Sequence, residues 1–435
     1  MELTTPPHSA LRPHLLPWRP ALPADLLRQV RADFDRFGRS GLPSGLEDYL
    51  LENYALDVSG SYAGMRVKNP WGKASGQLSM RLGQVEEAAQ AGLGFVVLKT
   101  VIAEDAVGGR SMEAWAIKES RMVAEPIVGR ASGARGWTIS WKGRGWWQPF
   151  NDYLDLVRAA TELGQANSML VVPSVKYHLP APGEPRWRVE EYSATTERLL
   201  AAYPGDVMPL EKDFSPTLAG SDRATEQAKI LEWLTTIPRL IRAAAEPRRV
   251  ALGLKLFNAL YDDQFQLTML SAVHGADPPD FLIYANRLFN PDREFEGHRG
   301  IAYGGPDLSD RNLRVLSALR AAQAGGTFPR TGLELSATGD IGSGRMAVEY
   351  ALRGCTSFQI HTFFQLPPEV YVLKRGTKLE RALHMLYFDP DNGLIVWALH
   401  AARQLGLGKT GPVRLLDLAA RGAASALGKL DAELA

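Results

Sequence analysis

The sequence predicts an α/β chain built on a (β/α)8 TIM barrel, with an N-terminal helical extension and a C-terminal helical tail. Short β-branched runs alternate with longer helical patterns from about residue 65 onward, and the runs number eight. That count closes a barrel. Most of the runs are apolar nearly throughout, as expected of parallel strands buried on both faces. An open doubly wound sheet is the competing arrangement for such an alternation.

Residues 1–55 differ from the rest. The stretch 15–23 is proline-rich, and 25–37 carries one apolar face over about three turns. This reads as an extension packed on the outside of the main domain, with contact to a membrane surface as the alternative for an amphipathic helix. Strands are expected at 71–76, 95–100, 169–175, 207–214, 250–257, 281–287, 333–341 and 357–364, and helices at 80–91, 150–163, 224–245, 310–322 and 344–353. Two connections are long, 101–149 after the second strand and 290–306 after the sixth. Loops that follow strands lie at the C-terminal face of a barrel, where active sites are built. The first loop holds Trp137, Trp141, Trp146 and Trp147, a cluster that suits either a core or a lid over a ligand. The expected division is an extension over 1–55, a barrel domain over 56–405 and a tail over 406–435.

Composition narrows the function. Apolar residues make up 45% and charged residues 22%, with a net charge of +1 and no stripe of basic residues. The chain is therefore globular, with no sign of a nucleic-acid partner. Its single cysteine, Cys355, rules out an internal disulfide framework and a cysteine-held zinc or iron–sulfur centre. Cys355 reads as a small packing residue. His178, His274, His298, His384 and His400 lack ligand spacing, so no metal is expected. No apolar run approaches the ~20 residues of a membrane helix, no signal peptide is expected, and a reducing cytoplasm is the natural compartment. Assembly into a homo-oligomer is left open.

Chemistry is concentrated near the end of the strand pattern. In Leu335-Ser-Ala-Thr-Gly-Asp-Ile-Gly-Ser-Gly344 a strand ends in Thr338-Gly339-Asp340 and a helix begins near Ser343. Glycine lets backbone approach a phosphate, and the helix start offers unpaired N–H groups. A second strand then ends at His361-Thr362. Turns after strands seven and eight are the usual phosphate site of a barrel. Gly304-Gly305 is either a plain turn or a further close approach to a ligand.

These segments resemble, in order, the dihydroorotate dehydrogenase family, which includes the pyrimidine-reducing domain of dihydropyrimidine dehydrogenase. Asn69-Pro-Trp-Gly-Lys-Ala-Ser-Gly76 resembles the first strand, whose Ala74-Ser75-Gly76 turn would lie against FMN. Val97-Leu-Lys-Thr100 resembles the second, with Lys99 and Thr100 facing the flavin ring. Leu252-Gly-Leu-Lys-Leu256 resembles the fifth, with Lys255 at the N1/O2 edge. Ile283-Tyr-Ala-Asn286 resembles the sixth, where Asn286 would help hold flavin and substrate. The likeness spans roughly residues 65–365 and implies FMN, a small-molecule substrate and a separate electron acceptor. A lysine inside an apolar strand is costly unless it serves a site or a partner, and a cation near N1/O2 favours reduced flavin.

The family carries Cys or Ser before a Pro at the end of the fourth strand, as the base that removes a proton from the substrate carbon. Leu210-Glu-Lys-Asp-Phe-Ser-Pro-Thr217 puts Ser215 there; the alternative is a helix cap. Of the family's substrate-binding asparagines, only Asn286 is kept. Lys212, Thr217 and Ser140 stand at the other positions, which argues against a pyrimidine imide as substrate. Asp340 and His361 also depart from the pattern at the phosphate segments. The leading expectation is an FMN oxidoreductase acting on a C–C bond next to a carbonyl. A non-redox barrel binding a sugar phosphate, and a flavin-binding barrel without catalysis, are the alternatives. There is no cysteine cluster for an iron–sulfur relay and no N-terminal nicotinamide fingerprint.

Overall fold

The structure, a computed structural model, describes residues 14–118, 121–245, 249–275, 277–329 and 333–424. The ends of the expected extension (1–13) and tail (425–435) lie outside the described residues.

The eight expected strands form one closed parallel barrel. They are β1 (Trp71–Lys73), β2 (Phe95–Val97, continued by Val101–Ile102), β3 (Leu170–Val172, continued by Ser174–Lys176), β4 (Met208–Asp213), β5 (Val250–Lys255), β6 (Phe281–Tyr284), β7 (Glu334–Thr338) and β8 (Cys355–Ile360). Each pairs in parallel with the next, and β8 pairs back to β1 through Phe358 opposite Trp71. The open-sheet alternative is thereby excluded. β3 is interrupted at Pro173, which has no N–H for the ladder; the two halves of β2 and β3 still pair, at Val97 opposite Val172 and Ile102 opposite Lys176.

Strand glycines make room for large neighbours. A Cβ on Gly72 would fall 2.1 Å from the Phe95 ring, and one on Gly253 2.2 Å from the Phe281 ring. Those rings pack on Tyr62, with centroids 4.4 and 4.9 Å away. Tyr62 lies on an antiparallel hairpin, Gly60–Tyr62 with Met65–Val67. This hairpin closes the N-terminal end of the barrel, the end that serves stability.

The helices are α1 (Ala24–Ser40), α2 (Leu46–Tyr54), α3 (Leu82–Gln90), α4 (Phe150–Ala166), α5 (Val189–Ala202), α6 (Gln227–Ala243), α7 (Asp263–Ala272), α8 (Pro306–Ala324), α9 (Gly344–Ala351), α10 (Lys378–Phe388), α11 (Leu394–Gln404) and α12 (Leu415–Ala424). The sequence pattern does not mark α5, α7, α10 or α11. α11 opens Leu-Ile-Val-Trp-Ala-Leu and is buried nearly all round, so it lacks the one-sided period that marks a surface helix. α1 packs its apolar face on α10, with Phe34 stacked on His384 and Phe37 against Phe388. Leu56–Asp57 pairs with Val413–Arg414, and the described segments before and after the barrel share one hydrophobic core with it. No described helix is long and apolar enough to cross a membrane.

Each of the two long connections carries an antiparallel hairpin. Met122–Val128 pairs with Arg135–Trp141, and Leu288–Phe295 pairs with His298–Tyr303.

Candidate active site

A cavity of about 560 Å³ opens at the C-terminal ends of the strands, a size that suits a small molecule or cofactor. Its wall includes Ala74, Ser75 and Gly76 after β1, Lys99 and Thr100 within β2, Lys255 at the end of β5 and Asn286 after β6. Ser215 and Thr217 after β4, Gly304 and Gly305 before α8, and Thr338, Gly339, Asp340, His361 and Thr362 after β7 and β8 complete the expected set. Two expected residues stand away from it. Lys212 points out of the barrel, with Nζ donating to the Asp213 carbonyl at 3.0 Å and lying 4.1 Å from the Phe214 ring centroid. Ser140 sits within the hairpin, its hydroxyl between Glu125 and Arg293. The residue that faces the cavity on β4 is Asp213; adjacent strand residues point to opposite faces.

Lys255 is not a lone cation. Its Nζ lies 3.3 Å from Glu211 Oε1 and 2.8 Å from Gln359 Oε1. Glu211 also accepts from Gln359, at 2.6 Å, and from Tyr62 and Ser174. These groups form a hydrogen-bonded polar layer inside the barrel, so the charge of Lys255 is neutralised where it is desolvated. Above this layer Ser75 and Thr100 share a hydroxyl contact of 2.8 Å, and Thr100 reaches Ser174 at 3.0 Å. Asn286 donates both to Asp213 Oδ1 and to the Phe214 carbonyl, each at 3.0 Å.

Ser215 begins the 3-10 turn Pro216–Gly220, yet its side chain makes no capping bond. Its Oγ instead meets Thr217 Oγ1 at 3.1 Å.

The sequence reading missed several cavity residues, chiefly cations. Lys176 at the end of β3 is 4% exposed. Its Nζ lies 4.2 Å from the Trp115 ring centroid, which the Arg144 guanidinium also faces, at 5.0 Å. Burial pushes Lys176 down to about 7, with Asp213 opposing the shift and Arg144 and Lys99 adding to it. Arg287 lies over the Trp141 ring at 4.5 Å and donates to Thr138 Oγ1 at 2.9 Å. Its buried Nε has no hydrogen-bond partner among the described residues. A signal for Lys176 was present in sequence: a lysine ending a barrel strand at the face where Lys99 and Lys255 arrive.

His361 is neutral, pushed down to about 3 by burial and then by the charges of Arg287, Lys99, Lys255 and Lys73. Its ring occupies the space beside Gly76, where a Cβ would fall 2.4 Å from Nε2. At the other end of the cavity the Thr338-Gly339-Asp340 turn is held from behind. Asn312 donates to the Thr338 carbonyl at 2.9 Å and Tyr350 to that of Gly339 at 3.0 Å. Asp340 has a left-handed backbone, φ +53°. Burial pushes its carboxyl up to about 7, the Ser309 hydroxyl opposing. Cys355 is buried away from this wall, its thiol pushed up to about 12 by burial. No group of His, Cys, Asp and Glu side chains suited to a metal ion occurs among the described residues.

The two hairpins meet over the opening. Arg293 bonds the Glu125 carboxylate, and the Gly304 N–H donates to Thr138 Oγ1 at 3.0 Å. Trp137 and Trp141 face the cavity. Trp146 belongs to the core, and Trp147 is partly exposed beside Lys118. The tryptophan cluster thus divides between the two roles its sequence allowed.

No protein-family model matches the chain, and no curated protein matches its sequence. Among solved structures it is similar to a crystal structure of dihydroorotate dehydrogenase (DHODH) from Eimeria tenella in complex with ferulenol. The identity is 13%, the match covers 94% of this chain and 98% of that one, and the TM-score is 0.54. At that identity the likeness establishes the architecture: this chain has the (β/α)8-barrel fold of dihydroorotate dehydrogenase.

Proposed function

We propose that the protein is an FMN-dependent oxidoreductase acting on a carbon–carbon bond adjacent to a carbonyl, with Ser215 as the base. The observation that carries this reading is the convergence of Lys99, Lys255, Asn286 and Ser215 on one cavity in this fold. The ring end of a flavin fits the residues present. Small residues at Ala74 and Ser75 leave a flat wall, Lys99 and Lys255 supply positive charge, and the orphaned Arg287 Nε supplies a buried donor. Bound there, the flavin supplies the acceptor for a hydride. Ser215 Oγ takes the substrate proton, with Thr217 Oγ1 orienting the hydroxyl, and the paired hairpins exclude water.

The substrate end favours an anion. Lys176 and Arg144 lie on the cavity wall over the buried Trp115 ring, and Asp213, the carboxylate beside them, is engaged by Asn286. The Asn286 amide N–H groups are committed to Asp213 and Phe214, and Lys212 and Ser140 point elsewhere. A pyrimidine imide would leave buried polar edges unpaired, at a cost of about 1–3 kcal/mol each. Dihydroorotate itself is therefore a poor substrate.

Visible absorbance of the purified protein, with mass spectrometry of released small molecules, tests the assignment. The expected result is about one FMN per chain. A colourless protein that takes up neither FMN nor riboflavin overturns it. Turnover of dihydroorotate at working rates, about 1–1,000 per second, would overturn its exclusion.

A further inference from the structure

The cofactor end of the cavity carries carboxylates where a phosphate would be expected. Asp340 follows Gly339 in the turn after β7, and both line the wall with Asp310 from α8. The Asp340 carboxylate accepts from Ser309 Oγ at 3.2 Å. The charged groups acting on it are Asp310 and His14, the Tyr350 hydroxyl faces it from α9, and from the first hairpin Gly136 packs beside its carboxylate with the exposed Arg135 next to it on the cavity wall. His14 is already engaged: Nε2 lies 3.5 Å from Asp310 and Nδ1 3.6 Å from Glu349. Glu349 in turn holds the backbone of Leu15 and Leu16 and pairs with Arg353 at 2.8 Å.

Two of the N–H groups at the start of α9 are also committed. At the start of α9 the Arg345 N–H donates to the Asn392 carbonyl at 2.9 Å, and the Met346 N–H to Ser343 Oγ at 3.2 Å. One side of the helix start is packed on α11, since a Cβ on Gly344 would fall 1.8 Å from Leu394 N, while Gly342, Ser343 and Met346 line the cavity. A doubly charged phosphate placed against two ionised carboxylates is repelled.

Resting on the flavin reading above, we propose that Asp340 selects against a doubly charged phosphate at the cofactor end, so that FMN binds only with uptake of a proton there, whereas a flavin ending in a neutral ribityl chain binds without one. Burial has already raised the Asp340 carboxyl to about 7, so the protonated form is reachable near neutrality. Protonated, Asp340 can donate a hydrogen bond to a phosphate oxygen; ionised, it repels it.

The test compares FMN and riboflavin on the flavin-free full-length protein, following quenching of flavin fluorescence from pH 5.5 to 9. Riboflavin serves as the control for titrations elsewhere in the cavity, including those of Lys176 and His361. The FMN dissociation constant is expected to rise by up to about tenfold per pH unit above pH ~7, as uptake of one proton requires, while that for riboflavin changes by less than about threefold. Asp340→Asn should flatten the FMN curve. Asp340→Gly, which suits the left-handed backbone, should do the same and guards against a folding defect in the first variant. Parallel pH curves for the two flavins, or a steep FMN curve kept in both variants, would overturn the proposal alone. Failure of either flavin to bind at any pH would overturn the flavin reading and the proposal with it.

Discussion

Lys255 and Glu211 form a buried ion pair inside the barrel, 3.3 Å apart, and Lys255 is also part of the cavity wall. One side chain thereby joins the stability of the barrel to the electrostatics of its site. Lys255→Met should cost about 3–5 kcal/mol of unfolding free energy, because it strands the Glu211 charge. The double variant Lys255→Met/Glu211→Gln should recover most of that loss in a denaturant titration while bound flavin keeps a lowered reduction potential. If the double variant restores the potential as well, Lys255 acts only on the fold.

Ser215 is expected to be dispensable for folding. Its Oγ makes one side-chain contact, to Thr217, and caps nothing. Ser215→Ala should leave the melting temperature and flavin content unchanged. Reduction of the flavin should slow by about 100-fold or more, measured in single turnover with whichever compound from a panel of saturated carbonyl acids reduces the parent. Parent-like reduction by the variant would remove Ser215 from the chemistry.

Lys176 gives the site a pH response of its own. Its ammonium, pushed down to about 7 by burial, is charged below that value and attracts a carboxylate; above it the attraction is lost. Succinate should bind about tenfold more tightly at pH 6 than at pH 8.5, read by thermal shift, and Lys176→Met should abolish the difference. Without ligand the sign reverses. The folded protein binds fewer protons than the unfolded chain between about 7 and the ordinary value of 10.5, so Lys176 makes stability rise with pH across that window.

The bond between Arg293 and Glu125 ties the two hairpins together over the opening. Both side chains are partly exposed, and such a pair is worth about 0–1 kcal/mol. Arg293→Ala should therefore leave the melting temperature within about 2 °C of the parent. Amide hydrogen exchange over residues 122–141 and 288–303 should become faster, while exchange in the barrel strands stays the same.

The barrel was legible because parallel strands buried on both faces leave continuous apolar runs, and all eight runs became strands. The hairpins were less so. Their strands are mostly half-exposed, and the residues they pack on come from elsewhere in the chain. On β4 the reading missed by one residue. The motif puts Lys212 on the cavity, but Asp213 faces it, and a step of one along a strand changes the side on which every side chain lies.

The sequence by itself determined the strands, the turns after them, and the placing of Lys99, Lys255, Asn286 and Ser215 at strand ends. These follow from local hydrophobic pattern and the order of motifs along the chain. Only the tertiary structure decided which charges meet. Glu211 and Lys255 are 44 residues apart in sequence, and the backbone just after His14 reaches Glu349 across more than 300 positions. No local pattern specifies such pairs. They form because closing the barrel and docking the N-terminal segment bring distant polar groups into one dry interior, where each must find a partner or shift its charge.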